Sequence, residues 1–98
     1  MRLRAEDIEP LVIGGALLGG GGGGDPEKGR RFAQVALSLG APELIPLEAL
    51  PPKATVVTVA LVGAPAAAEQ HVEPEDLARS LRLLQETFGV RADAINGN

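Results

Sequence analysis

The amino-acid sequence predicts a small α/β domain, with about three helices and two to three short strands layered around one buried strand. Three observations predict this class. Apolar residues recur at helical spacing behind strong N-terminal caps. Residues 54–61 form a β-branched apolar run, typical of a covered strand. Residues 90–95 then begin like another strand. A length of 98 residues suits one domain, residues 1–98.

Composition and charge exclude several classes of function. The net charge is -4 and the pI is near 4.9, which argues against a nucleic-acid surface. There are no cysteines, so disulfides and Cys-ligated zinc are excluded. No apolar run approaches the roughly 18 residues of a membrane span, and acidic residues stand where a secretory signal would be apolar. We therefore expect a cytoplasmic protein.

The first helix is predicted over residues 5–18. Its apolar stripe, at spacings of three and four, comprises Ile8, Leu11, Val12 and Ala16. Pro10 is tolerated only if the regular helix starts near it. A competing interpretation makes residues 11–13 a short strand ending at Gly14.

The second helix has clear signals at both ends. Asp25 is a good N-cap and Pro26 a favoured first residue. One face carries Phe32, Val35, Ala36 and Leu39. Gly40 is predicted to close the helix as its C′ residue, and Pro42 prevents its continuation. Residues 43–47 follow as a possible edge strand.

The strand over residues 54–61 is expected to be covered on both faces. A loop follows it, and the third helix then runs from about Pro74 to Phe88 and ends at Gly89. Its predicted buried stripe is Leu77, Leu81, Leu84 and Phe88. The final strand would leave an unpaired apolar edge. We therefore expect a homo-oligomer, or a partner chain that completes the fold.

A run of six glycines, Gly19 to Gly24, is the most unusual feature of the sequence. Ordering it costs on the order of 3–6 kcal/mol relative to alanine, so a functional use is expected. Three interpretations are open: a phosphate cradle, a flexible linker, or a tight loop that approaches a site in a larger enzyme. The Walker pattern is absent, because Asp25 stands where its lysine would be.

Other polar residues each have a structural and a functional interpretation. Asp25 could be a ligand or catalytic carboxylate, or simply a helix cap. The cations Lys28, Arg30 and Arg31 could hold an anionic substrate, or form a solvated helix face. His71 is the sole histidine, so no zinc site is predicted. Asn96 and Asn98 end a predicted strand, where sites in α/β proteins tend to lie, or they are part of a frayed terminus, which is the interpretation that this chain alone favours.

The order of these motifs resembles a known family. The glycine run with Asp25 and Pro26, the Gly63-Ala64-Pro65 loop and the segment Arg91 to Ile95 are similar to the N-terminal region of S-methyl-thiohydantoin desulfurase-like proteins, which are often hydantoinase-associated. Members of that family are longer and carry a further C-terminal domain. Just past the position of Ile95 they show a Glu-x-Gly-Gly-x-Asn pattern, whereas this sequence stops at Asn98, which puts catalysis by the chain alone in doubt.

The resemblance implies where a site would lie and what it would do. The ligand-binding positions it indicates are Gly20, Gly21, Gly22, Gly23, Gly24, Asp25, Gly63, Ala64 and Pro65. No catalytic residue, cofactor or metal is designated. The first hypothesis is an N-terminal segment of a cytoplasmic hydrolase-like protein of thiohydantoin or hydantoin catabolism, inactive alone. The alternative is a stand-alone α/β module that binds an anionic ligand, a nucleotide or a partner subunit through the glycine-rich loop.

Overall fold

The computed structural model of the protein describes residues 1–19, 25–61 and 71–97. The helices are α1 (Ile8–Leu18), α2 (Pro26–Leu39) and α3 (Pro74–Phe88), and the strands are β1 (Val56–Val59) and β2 (Ala94–Gly97). Short 3-10 turns span Ala5–Asp7 and Leu47–Ala49. The predicted small mixed α/β class is confirmed. The contacts divide the chain into two compact units, Met1–Leu47 and Glu48–Asn98.

Helix α1 confirms the first predicted helix. A 3-10 turn begins at Ala5, and the α-helix continues from Ile8 to Leu18. Pro10 is its third residue, so its missing N–H falls in the first turn, where the helix has no internal acceptor for it. The competing strand over residues 11–13 is therefore wrong.

Helix α2 begins and ends where the sequence predicts, but it closes differently. Gly40 has φ −176 and ψ −171, which is extended backbone and not the left-handed conformation that glycine often takes after a helix. The chain thus leaves α2 directly in an extended path. There the N–H of Leu3 donates to the carbonyl of Pro42 at 2.9 Å, and the N–H of Leu44 donates to that of Met1 at 2.8 Å.

The predicted edge strand over residues 43–47 shrinks to one antiparallel bridge, Arg2 to Glu43. Two features explain the loss. Pro46 has no N–H to donate to a ladder. Leu47 already starts the second 3-10 turn.

The second unit is a β–α–β arrangement. Strands β1 and β2 are parallel and in the register Val56 to Ala94 through Val59 to Gly97, and α3 lies between them in the chain. Strand β1 is shorter than predicted, and in it only Val57 is buried. Coverage of both faces is thus wrong for the described residues, because helix α3 packs against β1 while Val56 and Thr58, which alternate with buried Val57, are exposed.

Helix α3 has the predicted limits, and Gly89 ends it in the left-handed conformation with φ 63. The predicted buried stripe is only partly correct. Leu77 and Leu81 are half-buried, whereas Phe88 is 71% exposed. Lengths explain this difference: a 15-residue helix spans roughly 22 Å, but a four-residue strand spans roughly 13 Å. The last turns of α3 therefore extend beyond β1.

Replacing Gly89 by alanine is expected to destabilise the second unit by about 1 kcal/mol, because a Cβ is strained at this positive φ. Gly40→Ala is the matched control: a methyl group would enter open space at both glycines, but Gly40 is extended. We expect the control to be neutral or slightly stabilising. Urea unfolding of both variants checks this difference, and equal destabilisation would contradict it.

Candidate functional site

The structure describes one of the ligand-binding positions that the sequence indicates. Gly20, Gly21, Gly22, Gly23 and Gly24 lie outside the described residues, as do Gly63, Ala64 and Pro65. Asp25 lies at the start of α2 and is exposed. Asp25 is thus the single indicated ligand-binding position among the described residues.

Asp25 caps helix α2. Its backbone is extended, and its Oδ1 accepts a hydrogen bond from the N–H of Glu27 at 3.0 Å. This satisfies one of the free donors of the first turn, and the negative charge suits the positive end of the helix dipole. Asp25 therefore acts as a helix cap, as its structural interpretation predicts.

Replacing Asp25 by alanine is expected to cost about 1 kcal/mol of helix stability, because the Glu27 N–H loses its acceptor. Asp25→Asn keeps an acceptor oxygen and should retain most of the stability. Thermal unfolding followed by circular dichroism compares the two variants. Equal losses would show that the carboxylate charge, and not the cap, is what matters.

The three cations of α2, Lys28, Arg30 and Arg31, contact other residues of the first unit. Arg30 donates to both carboxylate oxygens of Glu9, at 2.7 Å through Nε and 2.8 Å through Nη2, and so joins α2 to α1. Lys28 and Arg31 flank the ring of Phe32, at 5.6 Å and 5.5 Å from its centroid. This arrangement favours a structural face over an anion-binding cluster.

The ion pair between Arg30 and Glu9 shifts the pKa of both side chains. The hydrogen bond from Arg30 holds the pKa of Glu9 below its ordinary value, and the hydrogen bond to Glu9 raises the pKa of Arg30. Because the folded-state pKa of Glu9 is depressed, its stabilising contribution is present above the unfolded pKa of roughly 4.5. It is lost as the pH falls through the lower folded value.

Glu9→Gln is expected to remove this acid-dependent component, so that the melting temperature of the variant falls less steeply below about pH 4.5. Both side chains are substantially exposed, so the effect should weaken in high salt. Glu6→Gln is the control, since its 3.6 Å contact to Arg4 is longer and more exposed. Identical pH profiles for wild type and Glu9→Gln would contradict a stabilising pair.

A small apolar cavity of about 90 Å³ lies within the first unit. Its lining residues are Leu3, Arg4, Ile8, Leu11, Ala33, Ala36, Leu37 and Pro42. Arg4 is the sole charged residue among them, so the cavity lacks a carboxylate or histidine for proton transfer. It is a gap in the packing of α1 on α2 and not a candidate catalytic site.

In the second unit, the carboxyl ends of β1 and β2 lie side by side. The register pairs Thr58 with Asn96 and Val59 with Gly97. The sequence indicates Asn96 as a strand-end residue. Thr58 was not indicated by the sequence. It is the polar residue of β1, and it directly follows buried Val57.

One side-chain hydrogen bond joins the segments that precede β1 and β2, and a second joins α3 to the segment that precedes β2. Asp93 Oδ2 accepts from the N–H of Thr55 at 2.9 Å, while the N–H of Asp93 donates to the carbonyl of Thr55 at 2.9 Å. Gln85 Oε1 accepts from the N–H of Ala92 at 2.8 Å and so ties the end of α3 to the start of β2. Asp93 thus links the amino ends of the two strands, and Gln85 holds the start of β2 against α3.

His71 is exposed, and within residues 1–19, 25–61 and 71–97 no three potential metal-ligating side chains come together. None of the described helices has the length and hydropathy needed to cross a membrane.

Comparison with known proteins gives one match. No curated protein and no solved structure is significantly similar to the chain. The family model described as "S-Me-THD-like, N-terminal domain" matches residues 6–97, which is nearly the whole sequence. This agrees with the resemblance noted from the glycine run and the Gly-Ala-Pro loop. The chain therefore belongs to the S-Me-THD-like N-terminal domain family.

Proposed function

We propose that the chain acts as the N-terminal segment of a cytoplasmic, hydrolase-like protein of thiohydantoin or hydantoin catabolism. The observation that carries this proposal is the family match over residues 6–97. The substrate class is a five-membered cyclic amide that bears a sulfur substituent. The segment supplies part of the binding site and is inactive alone.

The reaction replaces the sulfur substituent by oxygen. Water adds to the ring carbon that carries the S-methyl group, and a tetrahedral centre forms. The carbon–sulfur bond then breaks, methanethiol leaves with one proton from the water, and the second proton remains on a ring nitrogen. The ring carbon ends as a carbonyl. Water is the sole co-reactant, and its oxygen and both of its protons appear in the products.

The glycine-rich loop is the proposed stabiliser of the developing negative charge. Backbone N–H groups can hold a ring carbonyl or an anionic centre, and glycines allow such a backbone to approach closely. In this proposal Gly20 to Gly24 and Gly63 to Pro65 are ligand-binding positions, and Asp25 caps α2 directly after the glycine run in the sequence.

Exposed apolar side chains support a role within a larger assembly. Among the described residues, the buried hydrophobic core comprises Ile8 and Val57. In the second unit, Phe88 is 71% exposed and Ile95 58%. Burial of these side chains by a partner would remove apolar surface from water and so favour association. The proposed occupant is the remaining region of an S-Me-THD-like protein.

Turnover tests the proposal. The 98-residue chain is mixed with, or fused to, the remaining region of an S-Me-THD-like protein, and methanethiol release from an S-methyl-thiohydantoin is followed. We expect turnover only when both parts are present. Lack of turnover in every combination, mixed or fused, would contradict the proposal and favour a stand-alone binding module.

A paired glycine substitution tests the loop. Gly22→Ala combined with Gly23→Ala is expected to lower kcat by about 100-fold, the usual effect of disturbing one oxyanion donor. Gly15→Ala is the control: it adds a methyl group within α1, where open space surrounds it. An equal loss of kcat in the loop variant and in the control variant would contradict a role of the loop in catalysis.

A further inference from the structure

We infer that Thr58 and Asn96 form a ligand-binding pair on the open face of the β1–β2 sheet, where they hold the amide edge of the cyclic substrate. This inference rests on the proposed function and deepens it, because it assigns substrate recognition to two described side chains. It starts from the register, which places these two residues opposite each other.

The two side chains share one face. Directly paired residues of neighbouring parallel strands project to the same side of a sheet. Val57 and Val59 project to the face that α3 covers, since Val57 is buried and Val59 half-buried. Thr58 therefore projects to the opposite face together with Asn96, and both are exposed.

Thr58 and Asn96 lie where ligands commonly bind in α/β proteins. In open α/β sheets, ligands bind at the carboxyl ends of the parallel strands. Thr58 is the third residue of β1 and Asn96 the third of β2, so both lie in the carboxyl half of their strand. Behind them on the same face is the pair Val56 and Ala94, which offers an apolar surface to one side of a flat ring.

The chemistry of the pair matches a cyclic amide. A lactam presents its N–H and its C=O on the same edge. The carboxamide of Asn96 has one acceptor and a two-proton donor, so it can pair with both groups at once. The hydroxyl of Thr58 adds a donor or an acceptor to the neighbouring carbonyl or ring nitrogen.

Hydrogen bonds next to the pair fix the backbone of the two strands relative to each other. The Asp93–Thr55 hydrogen bonds fix β2 against β1 at the amino end of the pair. No side-chain hydrogen bond between Thr58 or Asn96 and another described residue competes for their polar groups. Within residues 1–19, 25–61 and 71–97, the two polar groups are therefore available to a ligand.

Nuclear magnetic resonance titration of the 98-residue chain with hydantoin tests the inference. We expect saturable shifts at the amides of Thr58 and Asn96 and at the side-chain NH₂ of Asn96. Asn96→Asp should weaken binding at least about 10-fold, because it replaces a donor by a charged acceptor that repels the ring carbonyl. Thr58→Val should weaken it about 3- to 10-fold, and Thr58→Ser should restore it.

Matched controls separate recognition from general damage. Gln34→Glu makes the same amide-to-carboxylate change on α2, and Thr87→Val the same hydroxyl deletion on exposed α3. Both should bind hydantoin like the wild type. 1,3-Dimethylhydantoin, which has no ring N–H, should bind at least about 10-fold more weakly than hydantoin.

Each result supports or overturns the inference. Absence of saturable shifts at Thr58 and Asn96, or unchanged affinity in Asn96→Asp, overturns it. The turnover assay reports separately on the proposed function. Turnover with an unchanged KM in Asn96→Asp rejects the pair but keeps the hydrolase. Binding that depends on Asn96, without turnover in any reconstitution, keeps the pair and rejects the hydrolase.

Discussion

A charge at position 57 is expected to unfold the second unit, since Val57→Asp places a carboxylate in a buried apolar position of the strand against which α3 packs. Val57 is one of the two buried hydrophobic residues of the described chain. An unpaired buried charge costs about 3–5 kcal/mol, which approaches the entire stability of a small domain. Loss of amide-exchange protection in β1, β2 and α3 measures this effect.

Val56→Asp is the control for that prediction. Val56 precedes Val57 in β1 but projects to the opposite face and is 41% exposed. Its carboxylate would stay in water, so we expect a loss below about 1 kcal/mol, the range of strand propensity. Equal unfolding by the two substitutions would mean that both faces of β1 are covered, contrary to the structure.

Ile8→Ala is expected to lower the free energy of unfolding of the first unit by about 2–4 kcal/mol. Ile8 is 9% exposed and borders the existing cavity between α1 and α2. Truncation would enlarge that cavity, and the remaining helix pair has few other buried contacts to compensate. Urea unfolding of the purified variant measures the loss.

Ile13→Ala makes the same chemical change on the same helix, but Ile13 is 57% exposed. Little burial is lost there, and alanine is the better helix former, so we expect a change within about 0.5 kcal/mol. The difference between the two variants therefore isolates burial from helix propensity. If Ile13→Ala were as harmful as Ile8→Ala, the exposed face of α1 would have to be covered in solution.

Helix ends were predictable because the signals are local. Asp25 and Pro26 start α2, Pro74 starts α3, and Gly89 takes the positive φ that only glycine adopts readily. Gly40 shows the limit of this reasoning. A glycine after a helix permits the left-handed conformation without requiring it, and here the bridge of Arg2 with Glu43 draws the chain into an extended path.

Burial was less predictable because it depends on distant neighbours. The apolar spacing of Leu84 and Phe88 is the same as that of Leu77 and Leu81, but only Leu77 and Leu81 are half-buried. Likewise, the pairing of Thr58 with Asn96 follows from a parallel register between strands that are far apart in the sequence. No periodicity within either strand contains that information.

Family membership was predictable from the glycine run, Asp25-Pro26 and the Gly-Ala-Pro loop, since these combine in a characteristic order. The details of the site were not. Most of the indicated ligand-binding residues lie outside the described residues, and Asp25 has a complete structural role as a cap. What the structure adds is the strand-end pair and the arginine–glutamate link between α1 and α2.

Native mass spectrometry of the 98-residue chain, alone and with the remaining region of an S-Me-THD-like protein, tests the central proposal most directly. Association must precede any shared activity, and it requires the exposed apolar residues of the second unit to be covered. We expect a stoichiometric complex of the two parts to form and to displace any homo-oligomer of the chain. A chain that keeps its own oligomeric state and forms no complex at any mixing ratio would contradict the proposal that it works as a segment of a larger enzyme.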